Sequence, residues 1–309
     1  MQDDILELLE HFPGKSCYVM HSLIFRYGIS GRRMRRTRSA PALLIAASFG
    51  LIETMKLYLS NNTAVEVMYD EDCWTALSCA AWNGQTEAAE LLLGHGANIE
   101  AKTDGGWTAL ALAARNTHLE TLHALIDNGA DLDTRNQSSW TPLVGAAWYG
   151  KHAVMEALLQ KGANVDAGTN IGWTALHQVV SRGQGNLVEL LLGYRASVDV
   201  ATIAGWTPVM EAVKHGHIDV LKILLEKRPL INARTRAGKT AIYLAALLGD
   251  DEMIEMILKA GAIVDERTMG HLTDMMEEME AEEEDHRHLY QLLVDQGYNI
   301  SMRNADRLT

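Results

Sequence analysis

Along most of this chain two kinds of short apolar stripe alternate. The first is rich in small side chains, as in Ala76-Leu77 followed by Ala80-Ala81. The second spaces larger apolar residues at helical intervals, as in Ala88, Leu91, Leu92 and Leu93, or Val220, Ile223, Leu224 and Leu225. Polar turns containing glycine separate them. This pattern predicts pairs of short antiparallel helices, each with one buried face. The pairs recur at a fixed period. A Trp-Thr dipeptide stands at Trp74, Trp107, Trp140, Trp173 and Trp206, each 33 residues after the last, and the next step lands on Lys239-Thr240. Ala or Pro follows the Thr every time, then Leu, Val or Ile. Repetition in register at this length is the mark of a solenoid built from stacked units.

The local chemistry agrees with that reading. A Thr before Pro or Ala is a good helix start, because its hydroxyl caps an orphan amide and Pro suits the first turn. The small pairs Ala113-Ala114, Ala146-Ala147 and Ala245-Ala246 let neighbouring helices approach closely. Gly96, Gly129, Gly162 and Gly261 stop the second helix, where a left-handed residue is wanted.

These residues resemble the ankyrin repeat, with its Gly-x-Thr-Pro-Leu-His-x-Ala-Ala signature. The full Thr-Ala-Leu-His form stands at Thr174-Ala175-Leu176-His177. The resemblance implies an all-α ankyrin-repeat solenoid of about seven to eight helix–turn–helix units, each preceded by a β-turn finger. It also implies that His177 hydrogen-bonds a hairpin. Residues 41–300 form the expected array. A degenerate first unit begins at Pro41-Ala42-Leu43, and a stretched last unit runs from Thr273 to Gly297, as capping units do. Residues 1–40 are read as a capping or linker segment and 301–309 as a tail. Apolar positions Ile5, Leu6, Leu8, Leu9 and Phe12, then Tyr18 to Phe25, suit covering the open edge of the first repeat or binding a partner helix.

Some units depart from the signature. Arg195 and Arg228 stand where the second helix should end on Gly, and a side chain forced into the left-handed region costs roughly 1 kcal/mol. Either those two units end their helices differently, which Pro229 after Arg228 fits, or the residues have drifted in place. Cys73 and Ser139 replace a turn glycine, and Thr117 stands with His118 where a helix–helix turn normally has Gly.

Charge narrows the partners. The 309 residues carry 40 acids and 27 bases, a net charge of -13, which argues against nucleic acid. Residues 1–40 nevertheless hold seven bases and four acids, +3, leaving -16 for the rest. The run Arg32, Arg33, Arg35, Arg36 and Arg38 reads as a solvated linker, a nuclear-import signal or an anionic-surface contact. The acid run from Glu277 to Asp285 reads as an exposed helix or loop. Three cysteines without a CxxC pair fit a reducing compartment, so cytoplasmic residence is expected, with a nuclear alternative through the arginine run. The first residues lack the bases of a signal peptide, and no apolar run reaches the roughly 18 residues that span a bilayer.

Catalytic and metal motifs are not found. Gly14-Lys15-Ser16 lacks the upstream glycine of a phosphate loop, since position 9 is Leu9. His215 and His217 fall in an ordinary interhelical turn, and His286 and His288 have no Cys companion, so both pairs read as surface histidines. Cys79 reads as a small core residue, and no cofactor is implied.

The tryptophans are the candidate site. In ankyrin arrays the residue before the signature Thr lies on the exposed finger near the concave face. Here it is Trp74, Trp107, Trp140, Trp173 and Trp206. At about 200 Å² a ring, the ladder would expose about 1,000 Å², above the roughly 300–600 Å² patch usual on a monomer. The rings are therefore expected either to stack as a structural zipper, as in fungal-type arrays of this kind, or to form a recognition surface. The resemblance also turns the two residues after the Ala pair toward the groove. These include Trp82, Arg115, Trp148 and Tyr149 in the first half and Arg182, Lys214 and His215 in the middle. Aromatic anchors beside an Arg are the hot-spot chemistry of protein interfaces. The expectation is a monomeric scaffold docking another protein in this groove. The alternative is an apolar small-molecule site, or an enzyme or accessory protein of specialised metabolism, using the same aromatic groove.

Overall fold

The computed structural model of the protein describes residues 40–61, 64–66, 73–265 and 268. The arginine run, the acid run from Glu277 to Asp285, His286, His288, both terminal segments and the last unit from Thr273 lie outside the described residues.

Fourteen helices run in pairs among the described residues. The first pair is α1 (Ala40–Phe49) and α2 (Ile52–Ser60), followed by α3 (Ala76–Asn83) and α4 (Thr86–Gly94). Next come α5 (Ala109–Asn116) with α6 (Leu119–Asp127), and α7 (Pro142–Trp148) with α8 (His152–Gln160). The remaining pairs are α9 (Ala175–Val180) and α10 (Gly185–Gly193), α11 (Pro208–Lys214) and α12 (Ile218–Glu226), and α13 (Ala241–Leu248) and α14 (Asp251–Lys259). The chain divides into two compact units, 1–164 and 165–309. In the first, α1, α3, α5 and α7 pack in sequence as one layer, and α2, α4, α6 and α8 as a second. The second unit repeats the scheme, with α9, α11 and α13 in one layer and α10, α12 and α14 in the other. Each unit is thus a short solenoid of helix–turn–helix repeats, as the sequence pattern predicts.

Six threonines fix where the first helix of each repeat begins. Thr75, Thr108, Thr141, Thr174, Thr207 and Thr240 each accept the backbone N–H of the residue three places on. The small pairs that follow are buried: Ala80, Ala81, Ala113, Ala114, Ala146 and Ala147 expose 1% of their surface or less. That burial lets inner helices approach at backbone distance, and larger residues in this row would force the layers apart.

The five non-glycine departures all adopt positive φ. Cys73 lies at 53°, Thr117 at 66°, Ser139 at 61°, Arg195 at 64° and Arg228 at 52°. Of the two readings for Arg195, a different helix ending and drift in place, the backbone agrees with drift. Its backbone turns left as Gly96 does, and Ala196 N–H still bonds Leu191 C=O at 3.0 Å, as Ala97 bonds Leu92. The hydrogen bonds that close the turn are kept with an exposed side chain in place of glycine's hydrogen. Arg228 also turns left, but Pro229 has no N–H for the corresponding bond. Among the described helix endings that turn left, from Gly96 to Gly261, that one alone lacks the bond.

Candidate functional site

A tight turn delivers four of the five finger tryptophans to the same place in their repeats. Thr103, Thr169 and Thr202 donate their backbone N–H to the carbonyl of Trp107, Trp173 and Trp206, and their hydroxyls accept the tryptophan N–H. Asn136 clamps Trp140 in the same way through its Oδ1. The finger tip is a turn closed on itself. Neighbouring tips are tied within a unit, by Gln137 N–H to Gly105 C=O in the first and Ile203 N–H to Ile171 C=O in the second.

The ring then meets the residue eight positions on, at the end of its own inner helix. Trp74 packs edge-on against Trp82 with centroids 5.8 Å apart, and Trp140 packs tilted against Trp148 at 5.4 Å. Trp107 lies 5.7 Å from the Arg115 guanidinium carbon, and Trp206 lies 4.8 Å from Lys214 Nζ. Trp173, whose eighth residue is Ser181, sits instead against His177 at 5.8 Å. Within each unit no finger tryptophan among the described residues stacks on the next, and all five are half-buried. The rings form neither a finger-to-finger zipper nor a bare ladder.

In the first unit these pairs merge around one cation. The Arg115 guanidinium lies 5.3 Å from the Trp82 ring centre, 5.7 Å from Trp107 and 5.4 Å from Tyr149. Three successive repeats, carrying α3, α5 and α7, supply these rings. Asn116 Nδ2 donates to Trp82 C=O at 2.9 Å, and His118 Nε2 lies 3.1 Å from the same oxygen, which fixes the end of α3 under the cluster. Trp148 and Tyr149 are 39% and 42% exposed, so one side of the cluster is open to solvent. Of the predicted site residues, Trp74, Trp82, Trp107, Arg115 and Tyr149 are joined by ring and cation contacts. Trp140 and Trp148 contact each other, and Trp148 precedes Tyr149 in the chain.

Trp173 and Trp206 belong to the second unit, whose chemistry differs. His177 is buried, reaches Trp206 C=O through Nε2 at 3.1 Å, and closes a capping box with Thr174. The hairpin role implied for it is thereby met, with the hairpin supplied by the next repeat. Burial lowers its pKa to about 4, against a smaller upward pull from the Trp206 carbonyl. On α11, Glu211 is 1% exposed and its Oε2 accepts no hydrogen bond. That oxygen lies 3.4 Å from His215 Nε2 and 3.9 Å from Lys214 Nζ. Burial raises the Glu211 pKa, and Lys214 opposes the rise. Gln178 Oε1, one repeat earlier in the same slot, is likewise buried without a partner. Sequence reasoning missed this pair, although the slot holds Cys79, Leu112, Gly145 and Leu244 elsewhere. Cys79 itself is buried, and burial pushes its thiol up to about 12, so it behaves as a core residue.

Among the described residues no cluster of His, Cys, Asp or Glu could hold a metal ion, and no helix is long and apolar enough to cross a membrane.

A family model for ankyrin repeats matches residues 17–103, 43–136, 110–202 and 176–268. The crystal structure of the ankyrin repeat domain of Bcl-3, a member of the IkappaB protein family, is similar at 23% identity and a TM-score of 0.65. That match covers 70% of this chain and 97% of that one, and at this identity it establishes the fold alone. No curated protein sequence matches the chain.

Proposed function

The chain belongs to the ankyrin repeat family, and from that premise we propose that it is an interaction module docking a segment of a partner protein on its first unit. The surface used is the one formed by the fingers and the carboxyl ends of α3, α5 and α7. The observation that carries this reading is the cluster around Arg115, with Trp82, Trp107 and Tyr149 within 5.7 Å and Tyr149 open to solvent. Stability alone does not call for it. Cation–ring contacts at an exposed site contribute roughly 0.5–1 kcal/mol each, little beside the apolar burial that holds neighbouring repeats together. Large rigid rings around an Arg do suit binding, because they bury area at little entropic cost and order the guanidinium in advance.

The test is affinity capture from native lysate with the intact chain and a Trp82→Ala, Trp148→Ala, Tyr149→Ala variant, after circular dichroism shows both folded. A specific protein recovered by the intact chain and lost by the variant is the expected result. Recovery of the same protein by both rejects the surface.

A further inference from the structure

The docking reading leaves open what the partner presents, and Arg115 addresses that. Its side chain has no hydrogen bond and no carboxylate within ion-pair distance among the described residues, although it is only half exposed. The ring contacts stabilise its charge through the ring faces, but they satisfy none of its five N–H donors. None of its nitrogens is both buried and unpaired, so those donors face solvent. The result is a planar fork held in place by three rings, with its hydrogen-bonding edge unused. Such a fork matches a carboxylate with two parallel N–H···O bonds. The surrounding rings exclude water from the pair, which strengthens it.

Resting on the docking reading above, we infer that the first unit recognises a side-chain carboxylate, Asp or Glu, flanked by apolar residues in the partner segment. The carboxylate seats on Arg115, and the flanking apolar groups lie against Tyr149 and Trp148. The charge of the chain limits the partner further. Among the described residues of the first unit, 40–61, 64–66 and 73–164, there are 11 acids against 6 bases, so a run of acids or a dianionic phosphate meets repulsion that one guanidinium does not offset. A single carboxylate in a neutral apolar setting meets least.

The experiment is selection of a displayed random dodecamer peptide library on the full chain, with the same Trp82→Ala, Trp148→Ala, Tyr149→Ala variant as counter-target. Enriched peptides are then synthesised with their acid intact, as the amide and, where the acid permits, as phosphoserine. The expected outcome is a shared Asp or Glu beside apolar residues. Binding should weaken roughly tenfold to a hundredfold on Glu→Gln in the peptide or on Arg115→Gln in the chain, with no further loss when both are changed. Arg115→Lys, which keeps the charge but not the fork, should lose most of the binding, and circular dichroism of both variants guards against a folding defect. Peptides without an acid that still discriminate against the triple variant overturn the carboxylate inference and leave the docking surface standing. Additive losses, or preference for the phosphoserine form, overturn it too. No enrichment over the triple variant overturns both readings.

Discussion

Arg195 shows how far a fold can override a residue's own preference. Its φ of 64° lies in the same left-handed region as the glycines ending other outer helices, at 84° to 93°, and no contact of its side chain explains the choice. Arg195→Gly is therefore expected to stabilise the protein by roughly 0.5 to 1 kcal/mol, the strain relieved less the entropy glycine adds to the unfolded chain. Gly96→Ala is the converse. A Cβ there meets nothing within 4 Å, so a loss of about 1 kcal/mol would be conformational alone. Thermal melts of both variants check the pair; a destabilised Arg195→Gly would mean the Arg side chain is in use. His177 makes a second prediction at this scale. Its pKa is about 4 in the folded chain and ordinarily 6.5, so below pH 6.5 the unfolded chain takes up a proton that the folded one refuses. The stability due to neutral His177 is complete above pH 6.5 and falls by roughly 3 kcal/mol as pH drops toward 4. Melts at pH 7 and pH 5 should differ less for His177→Gln than for the unaltered chain, and equal differences would refute the assignment.

The repeat is the element of this fold, and most of it was legible. Trp-Thr at a 33-residue spacing located every inner helix from α3 to α11, because the Thr cap and the small pair act locally and leave a mark on the sequence. Two other periodic features were equally present but are intelligible only with the partner in view. Thr103, Asn136, Thr169 and Thr202 precede the tryptophans by four and clamp them. Glu100, Asp133, Asp166 and Asp199 accept a backbone N–H 31 residues on, from Asp131, Asn164, Ser197 and Leu230. As bare letters they are ordinary polar loop residues. The pairing of each finger ring with the residue eight places on was also hidden, since it depends on how the turn folds back over the helix. Glu211 is the sharper of two element-scale conflicts in this slot, an acid where other repeats place Leu112 and Leu244 and the preceding one Gln178. Glu211→Leu is expected to raise stability by about 1–2 kcal/mol at neutral pH. Because burial raises the pKa of Glu211, the folded chain holds the proton more firmly and the penalty grows as pH rises past 4.5. The gain from Glu211→Leu should accordingly shrink at pH 4. A gain independent of pH would point to packing instead of charge.

At the scale of the molecule the two units divide their chemistry. The first gathers aromatic rings around Arg115, while the second carries Lys214 over Trp206 and a buried Glu211 beneath it. The docking account therefore assigns the partner segment to the first unit alone. Hydrogen exchange of the full chain, with and without a saturating partner segment obtained by capture or selection, tests that assignment most directly. The account predicts added protection at the carboxyl ends of α3, α5 and α7 and in the fingers that carry Trp107 and Trp140. Protection confined to α10, α12 and α14, or to the fingers of Trp173 and Trp206, would contradict it.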